Sequence, residues 1–104
     1  MKNSIIVNNI TAVDTDTYKI RITRDNKFLF PAEQPGKRVI YPVICRINRE
    51  NYNAKYVIGS KDGKERSGIL NLGSDVYQTV LRIKEGTQLK IGRSNDGVYL
   101  INKT

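Results

Sequence analysis

Short segments in which apolar and polar residues alternate recur along the chain, and residues that favour turns separate them. The clearest segment is Thr17–Thr23, where Tyr18, Ile20 and Ile22 alternate with polar or charged residues. A period of two residues is typical of a β-strand with one face in the core and the other in solvent. On the same grounds we expect strands over residues 4–10, 28–30, 37–47, 54–58, 66–72, 88–91 and 98–101.

The stretches between these segments contain the residues that turns require. Turns are predicted at residues 14–16, 24–27, 31–36, 49–53, 59–64, 84–86 and 94–97. The strands on either side of the 24–27 turn are expected to form a hairpin. The pair Asp96-Gly97 between two alternating segments is a second hairpin signal. One short helix is predicted to begin at Ser74, which can cap it, and to end near Arg82.

The amino-acid composition favours the same class of structure. The 104 residues include 13 Ile, 8 Val, 7 Thr and 6 Tyr but only three Ala. Branched and aromatic side chains suit a half-buried sheet surface, whereas a shortage of Ala argues against many helices. Pro42 marks its strand as an edge strand or a bulged one. We therefore expect a mostly β fold, a small open barrel or pseudobarrel of about seven strands with one short helix, in a single domain spanning residues 1–104.

The chain lacks the residues on which many catalytic and metal sites depend. It has no His, which excludes Ser-His-Asp catalysis and a His metal site, and its one cysteine, Cys45, excludes an intrachain disulfide. Cys45 lies in an apolar segment and is expected in the core. The nearest approach to the acid and lysine pattern of a nuclease is Asp62-Gly63-Lys64, which a turn explains better. The sequence thus predicts a protein that is not an enzyme and uses no cofactor and no metal.

No part of the sequence resembles a membrane-spanning or secretory segment. A run of about 18 apolar residues, the minimum for a transmembrane helix, does not occur. The stretch that follows Met1 is too short and too polar for a signal peptide, because Asn8 and Asn9 interrupt it. With the single thiol, these features predict a cytoplasmic protein with no membrane partner.

Positive charge is concentrated in the middle of the chain. The net charge is +8, and residues 19–66 contain 12 of the 18 basic residues but only 5 of the 10 acidic ones. Basic residues neutralise phosphates and bind guanine edges, while amide side chains bind adenine edges. The predicted nucleic-acid-binding residues, all on turns or outward strand positions, are Arg24, Asn26, Lys27, Arg46, Arg49, Asn51, Lys61, Lys64 and Arg66.

These features predict binding of double-stranded DNA by the basic loops of a small β domain that recognises a sequence. An alternative is a small barrel that binds RNA or single-stranded nucleic acid, in which Tyr52, Tyr56 and Phe28 would stack on bases. A second alternative is a non-catalytic interaction module with an acidic protein partner. The sequence leaves the oligomeric state open.

The last third of the chain resembles a known class of DNA-binding domain. Residues 67–74, a short helical stretch, the segment Ile83-Lys-Glu-Gly-Thr-Gln-Leu-Lys-Ile91 and the strand that ends at Ile101 occur in the order seen in AbrB-type half-barrels. The order is also similar to that of plant B3 domains and of EcoRII N-terminal-type recognition domains. The extra strands before residue 67 fit the B3-like pseudobarrel better. That resemblance implies two loop arms that grip the major groove, matched here by the turns 24–27 and 61–66.

Overall fold

The structure, a computed structural model, describes residues 3–31, 38–58 and 68–104. Its seven strands are β1 (Ser4–Val7), β2 (Lys19–Ile22), β3 (Val39–Ile47), β4 (Glu50–Ile58), β5 (Gly68–Asn71), β6 (Leu89–Arg93) and β7 (Tyr99–Lys103). Three short helices accompany them in the described residues: α1 (Ala12–Thr17), a 3₁₀ helix (Arg24–Leu29) and a π-helix (Val76–Val80).

The strands form a single sheet in the order β1-β6-β7-β3-β4-β5-β2. Neighbouring strands are antiparallel except β3 and β7, which run parallel and pair only at Cys45 with Tyr99 and at Arg46 with Leu100. The sheet curls into a nearly closed barrel with an unsealed seam, and β1 and β2 stand at the two ends of the strand order. The predicted mostly β, barrel-like fold is confirmed, although the described residues contain three short helices rather than one.

The side chains that alternate in the sequence fill the barrel. Ile20 and Ile22 of β2 are fully buried, as are Leu89 and Ile91 of β6, so the period-two patterns predicted the inward faces correctly. Cys45 is also fully buried, and its burial raises the pKa of the thiol to about 12.

A stack of three aromatic rings crosses the core. The Phe30 ring lies 4.5 Å from that of Tyr56 and 4.6 Å from that of Tyr99, both nearly parallel to it. The Tyr99 hydroxyl donates a hydrogen bond to the Leu29 carbonyl at 3.1 Å. This contact fixes the end of the 3₁₀ helix against the start of β7.

The predicted turn at residues 14–16 is wrong, because these residues lie in α1. Thr11 and Asp14 form a capping box: the Thr11 side chain accepts from the Asp14 N–H at 3.3 Å, and Asp14 accepts from the Thr11 N–H at 3.0 Å. Such a box satisfies two N–H groups that the first turn leaves without partners, so it stabilises a helix of only six residues. Tyr18, which was expected in the following strand, ends the helix in the left-handed conformation with a φ of 56°.

The predicted hairpin between residues 17–23 and 28–30 is also wrong. β2 pairs with β5, and the residues after it form the 3₁₀ helix. The helix delivers Leu29 and Phe30 to the core at its end, so burial of these apolar residues does not require a strand.

The hairpin of β3 and β4 turns earlier than the predicted 49–53. Asn48 and Arg49 form a two-residue turn, with φ values of 52° and 71°, and Ile47 pairs directly with Glu50. Positive φ at both central positions is the geometry of a type I′ turn, which suits the twist of paired strands. β4 therefore begins four residues before the predicted position.

Later predicted elements are confirmed with changed boundaries. The helix predicted from Ser74 is present, and its 2.9 Å bond from the Leu81 N–H to the Val76 carbonyl spans five residues, as in a π-helix. The 84–86 turn is closed by Gly86 with a φ of 82° and by a 3.0 Å bond from the Thr87 N–H to the Lys84 carbonyl. The hairpin turn at residues 94–97 joins β6 to β7, while the turns predicted at 31–36 and 59–64 fall mostly or wholly outside the described residues.

The connections between strands emerge at two opposite ends of the barrel. At the first, which we call the loop end, even-numbered strands end and odd-numbered strands begin, and the described connecting residues there are 23–31, 38 and 94–98. At the other, which we call the helix end, residues 8–18, 48–49 and 72–88 connect strands and include α1 and the π-helix. The division decides which basic residues can act together.

Candidate nucleic-acid interface

Charge is distributed unequally between the two ends of the barrel. Counting the described connections and the first and last residues of each strand, the helix end has five basic and five acidic residues: Lys19, Arg49, Arg82, Lys84 and Lys103 against Asp14, Asp16, Glu50, Asp75 and Glu85. The loop end has four basic and two acidic ones: Arg24, Lys27, Arg38 and Arg93 against Asp25 and Asp96. Among the residues that the structure describes, the loop end therefore has an excess of positive charge and the helix end does not.

The 3₁₀ helix places two of the predicted DNA-binding residues side by side. Arg24 and Lys27 are three residues apart, and side chains at that spacing eclipse one another in a 3₁₀ helix. Arg24 is exposed and Lys27 is half-buried. Between them, the Asn26 side-chain amide donates to the Ile6 carbonyl at 3.3 Å and ties the helix to β1. The contact gives Asn26 a structural role in addition to the base contact predicted for it.

Arg46 and Asn51 face each other across β3 and β4. Arg46 Nε donates to Asn51 Oδ1 at 2.9 Å, and Arg46 Nη2 lies 3.7 Å from Asp96 Oδ2. A hydrogen bond from Ser94 is the main cause that keeps the pKa of Asp96 below its usual value, so Asp96 stays ionised beside Arg46. Arg46 and Asn51 thus satisfy part of each other's hydrogen-bonding capacity.

The structure separates Arg49 from the basic residues of the loop end. Arg49 is exposed in the two-residue turn beyond the end of β3, and the eight steps from Val39 to Ile47 correspond to about 26 Å along the hairpin. Its neighbour Glu50 accepts a 2.9 Å bond from the Tyr52 hydroxyl, which is the main reason that the pKa of Tyr52 is raised. Arg49 and the 3₁₀ helix therefore lie at opposite ends of the molecule.

Three predicted residues, Lys61, Lys64 and Arg66, lie outside the described residues. The residues that flank this segment, Ile58 and Gly68, are described and lie at the loop end. Ile58 pairs with Val39, and Gly68 pairs with Ile22.

Two of the basic residues described at the loop end, Arg38 and Arg93, were absent from the predicted set. Arg38 is exposed immediately before β3, and Arg93, also exposed, lies at the end of β6 with its guanidinium carbon 5.9 Å from the centre of the Tyr99 ring. The sequence showed both as basic residues beside strands. Arg93 borders the same small pocket as Phe28 and Leu29 of the 3₁₀ helix, and this proximity depends on the barrel closing, which no local pattern reveals.

The aromatic residues expected to stack on bases differ in exposure. Tyr56 is fully buried in the ring stack of the core, so it cannot contact a base, and that part of the single-strand alternative is wrong. Phe28 is 54% exposed on the 3₁₀ helix, and Tyr52 is half-buried on β4. The three rings therefore do not form one stacking surface.

A cleft of about 790 Å³ opens where β3 and β7 separate. One wall is formed by Pro42, Val43 and Ile44 of β3, and another by Val98 and Tyr99 at the start of β7. The mostly apolar lining also includes the polar residues Asn53, Lys55, Asn71 and Arg93. The volume falls within the range of sites that bind small molecules or several side chains.

No protein-family model matches the chain, and none of the curated proteins matches it in sequence. In the part of the chain that the structure describes, no three acidic or cysteine side chains come together as metal ligands would. Within the same residues, no helix combines the length and the apolar character needed to cross a membrane.

Proposed function

We propose that the chain binds double-stranded DNA through the loop end of the barrel. The observation that carries the proposal is the excess of positive charge at that end, four described basic residues against two acidic ones, beside a balanced helix end. Nucleic acids attract proteins through such one-sided basic surfaces, because phosphate contacts release counterions.

The geometry of the 3₁₀ helix supports contact with a phosphate backbone. Arg24 and Lys27 project from one face of this helix, at the mouth of the barrel. The helix is held to β1 through Asn26 and to β7 through Leu29, so the two cations are presented on a fixed support. Fixed cations lose less conformational entropy on binding than cations on an unsupported loop.

The resemblance to B3-like pseudobarrel domains adds independent support for duplex DNA. It implies that the turn at residues 24–27 is one of two arms that enter the major groove. The loop end contains this turn, and Arg38 and Arg93 extend its basic surface.

The proposal is tested by comparing two variants that each remove three positive charges. The loop-end variant combines Arg24→Ala, Lys27→Ala and Arg38→Ala, and the control combines Lys84→Ala, Lys90→Ala and Lys103→Ala. Both have the same net charge, so they differ only in where the charge is lost. Affinity for labelled duplex DNA, single-stranded DNA and duplex RNA is measured across a salt series, after selection of a preferred duplex from a random pool.

We expect the loop-end variant to bind the selected duplex at least tenfold more weakly. The salt slope, which is the slope of the logarithm of the binding constant against the logarithm of the salt concentration, should become shallower by about three units, since each phosphate contact contributes about 0.9. The control should retain most of the affinity. Equal losses in the two variants would show that binding depends only on net charge. Tighter binding of the unmodified chain to RNA or to single strands would show that duplex DNA is the wrong target.

A further inference from the structure

The first half of β3 has an open edge. Among the described residues, no strand lies next to residues 39–44 on the side opposite β4, because β7 joins β3 only at Cys45 and Arg46. A sheet edge of this kind exposes backbone groups that can pair with an added strand.

The hairpin register shows which backbone groups point towards the open edge. Ile47 and Glu50 flank a two-residue turn and form a hydrogen-bonded pair, and such pairs alternate with pairs that lack these bonds. Ile40, Pro42 and Ile44 consequently belong to the pairs that lack hydrogen bonds to β4. Their backbone groups therefore point away from β4, towards the open edge. Pro42 has no N–H to offer and loses no bond to β4. Ile40 presents an N–H and a carbonyl at the edge. Ile44 presents its N–H only, because its carbonyl belongs to the parallel pairing of Cys45 with Tyr99.

Apolar surface accompanies these backbone groups on both faces of the edge. On the outer face, the side chains of Ile40 and Ile44 are 51% and 43% exposed. On the other side, the 790 Å³ cleft separates the edge from Val98 and Tyr99. An added strand points successive side chains to opposite faces, so it would place alternate side chains on the two isoleucines and in the cleft.

The charges around the edge favour a negatively charged occupant. Lys55 lies opposite Pro42 in the hairpin, Arg38 precedes the edge, and Arg93 borders the cleft. The nearby Asp96 is already bonded to Ser94 and lies beside Arg46. A second copy of this chain would bring the same positive charges, and symmetric pairing about Pro42 would place two residues without N–H groups opposite each other. A partner protein with acidic residues fits better on both counts.

We propose that the open edge of β3 binds an extended, acidic segment of a partner protein as an additional strand. Alternate apolar side chains of the segment enter the cleft, and its carboxylates lie near Lys55, Arg38 and Arg93. Backbone pairing at Ile40 and Ile44 supplies affinity, and the cleft supplies selectivity.

The test begins with a library of random short peptides selected against the full chain at about 150 mM salt. The best peptide is titrated against the unmodified chain and four variants. Ile44→Gln is matched by Ile6→Gln, because the side chain of Ile6 is 42% exposed on a different edge strand, β1. Lys55→Gln is matched by Lys90→Gln, an exposed lysine on β6. Amide exchange of Ile40 and Ile44 is followed by NMR with and without the peptide.

Selected peptides are expected to combine apolar residues, which contact the two isoleucines and the cleft, with acidic residues that lie near Lys55, Arg38 and Arg93. Ile44→Gln and Lys55→Gln should each weaken binding at least about fivefold, their matched variants less than about twofold, and the amides of Ile40 and Ile44 should become protected. Failure to enrich peptides, or equal binding to both members of each pair, would overturn the proposal. If duplex DNA alone protects the two amides, the edge binds DNA instead of a partner protein. If the chain self-associates with rising concentration and Ile44→Gln abolishes this, the edge binds a second copy of the chain.

Discussion

Arg21 on β2 and Asp14 in α1 join the two margins of the open barrel. Arg21 Nε donates to Asp14 Oδ2 at 3.0 Å, and Arg21 Nη2 donates to the Asn9 carbonyl at 3.0 Å, in the connection that follows β1. β1 and β2 stand at the ends of the strand order, so these bonds link the strands at the unsealed seam. Asp14 also caps α1 through the Thr11 N–H and is buried, which makes one carboxylate common to the helix and the seam.

Replacing Arg21 should destabilise the fold. Arg21→Met keeps the aliphatic stem but removes both bonds and leaves the Asp14 carboxylate buried with fewer partners, and we expect a loss of about 2 kcal/mol. Urea unfolding followed by circular dichroism measures the loss. Lys19→Met, on the same strand and exposed, is the control and should change the free energy of unfolding by less than about 0.5 kcal/mol. Equal stability of the two variants would show that the seam needs no such link.

Gly68 is required by the position of a tyrosine ring. A Cβ at Gly68 would lie 2.5 Å from Cζ of Tyr56, which is fully buried against Phe30 and cannot move aside. Gly68→Ala should therefore destabilise the chain by about 2 to 3 kcal/mol through overpacking. Gly92→Ala is the control, since its nearest neighbours would be 3.6 Å and 3.8 Å away, and it should cost less than about 1 kcal/mol. Thermal unfolding of the two variants distinguishes these outcomes.

The inward faces of the strands were predictable, because alternation depends only on neighbouring residues, as in the pattern of Ile20 and Ile22. The capping box of α1 was missed, since Thr11 and Asp14 in a polar stretch also suit a turn. The contact of Arg46 with Asp96 depends on the parallel pairing of β3 and β7, residues far apart in the chain. The candidate site was therefore predicted as a set of residue types, while its division between two ends of a barrel required the three-dimensional structure.

The stability of the fold should fall at alkaline pH because of Tyr77. Burial, with the nearby Asp14 carboxylate as a second cause, raises the pKa of Tyr77 from 10.0 to about 12, and its hydroxyl donates to the Lys19 carbonyl at 3.2 Å. Because the pKa of Tyr77 is higher in the folded state than in the unfolded state, its contribution to the free energy of unfolding is complete below pH 10. That contribution is lost as the pH rises towards 12. Tyr77→Phe should be less stable at neutral pH by about 1 kcal/mol and less sensitive to pH in that window.

Unfolding curves of the unmodified chain and of Tyr77→Phe at a series of alkaline pH values measure this difference. Cys45, whose pKa is also raised to about 12, remains in both proteins and contributes equally to their alkaline loss. Parallel stability curves for the two proteins between pH 10 and 12 would contradict the assignment of the pH dependence to Tyr77.

Arg49 provides a prediction that separates stability from DNA binding. It occupies the second position of the two-residue turn with a φ of 71°, which costs energy for any residue with a Cβ. Arg49→Gly creates the Asn-Gly pair that type I′ turns prefer and should stabilise the chain by about 0.5 to 1 kcal/mol.

The same variant should have little effect on binding if the loop end holds the duplex. Arg49 lies at the helix end, so Arg49→Gly should lower the affinity for the selected duplex less than twofold, which is about 0.4 kcal/mol. Arg24→Ala should lower the affinity more and should also reduce the salt slope. Chemical denaturation and fluorescence anisotropy on the two variants give both quantities. A larger loss of affinity with Arg49→Gly than with Arg24→Ala would move the interface from the loop end to the tip of the β3–β4 hairpin.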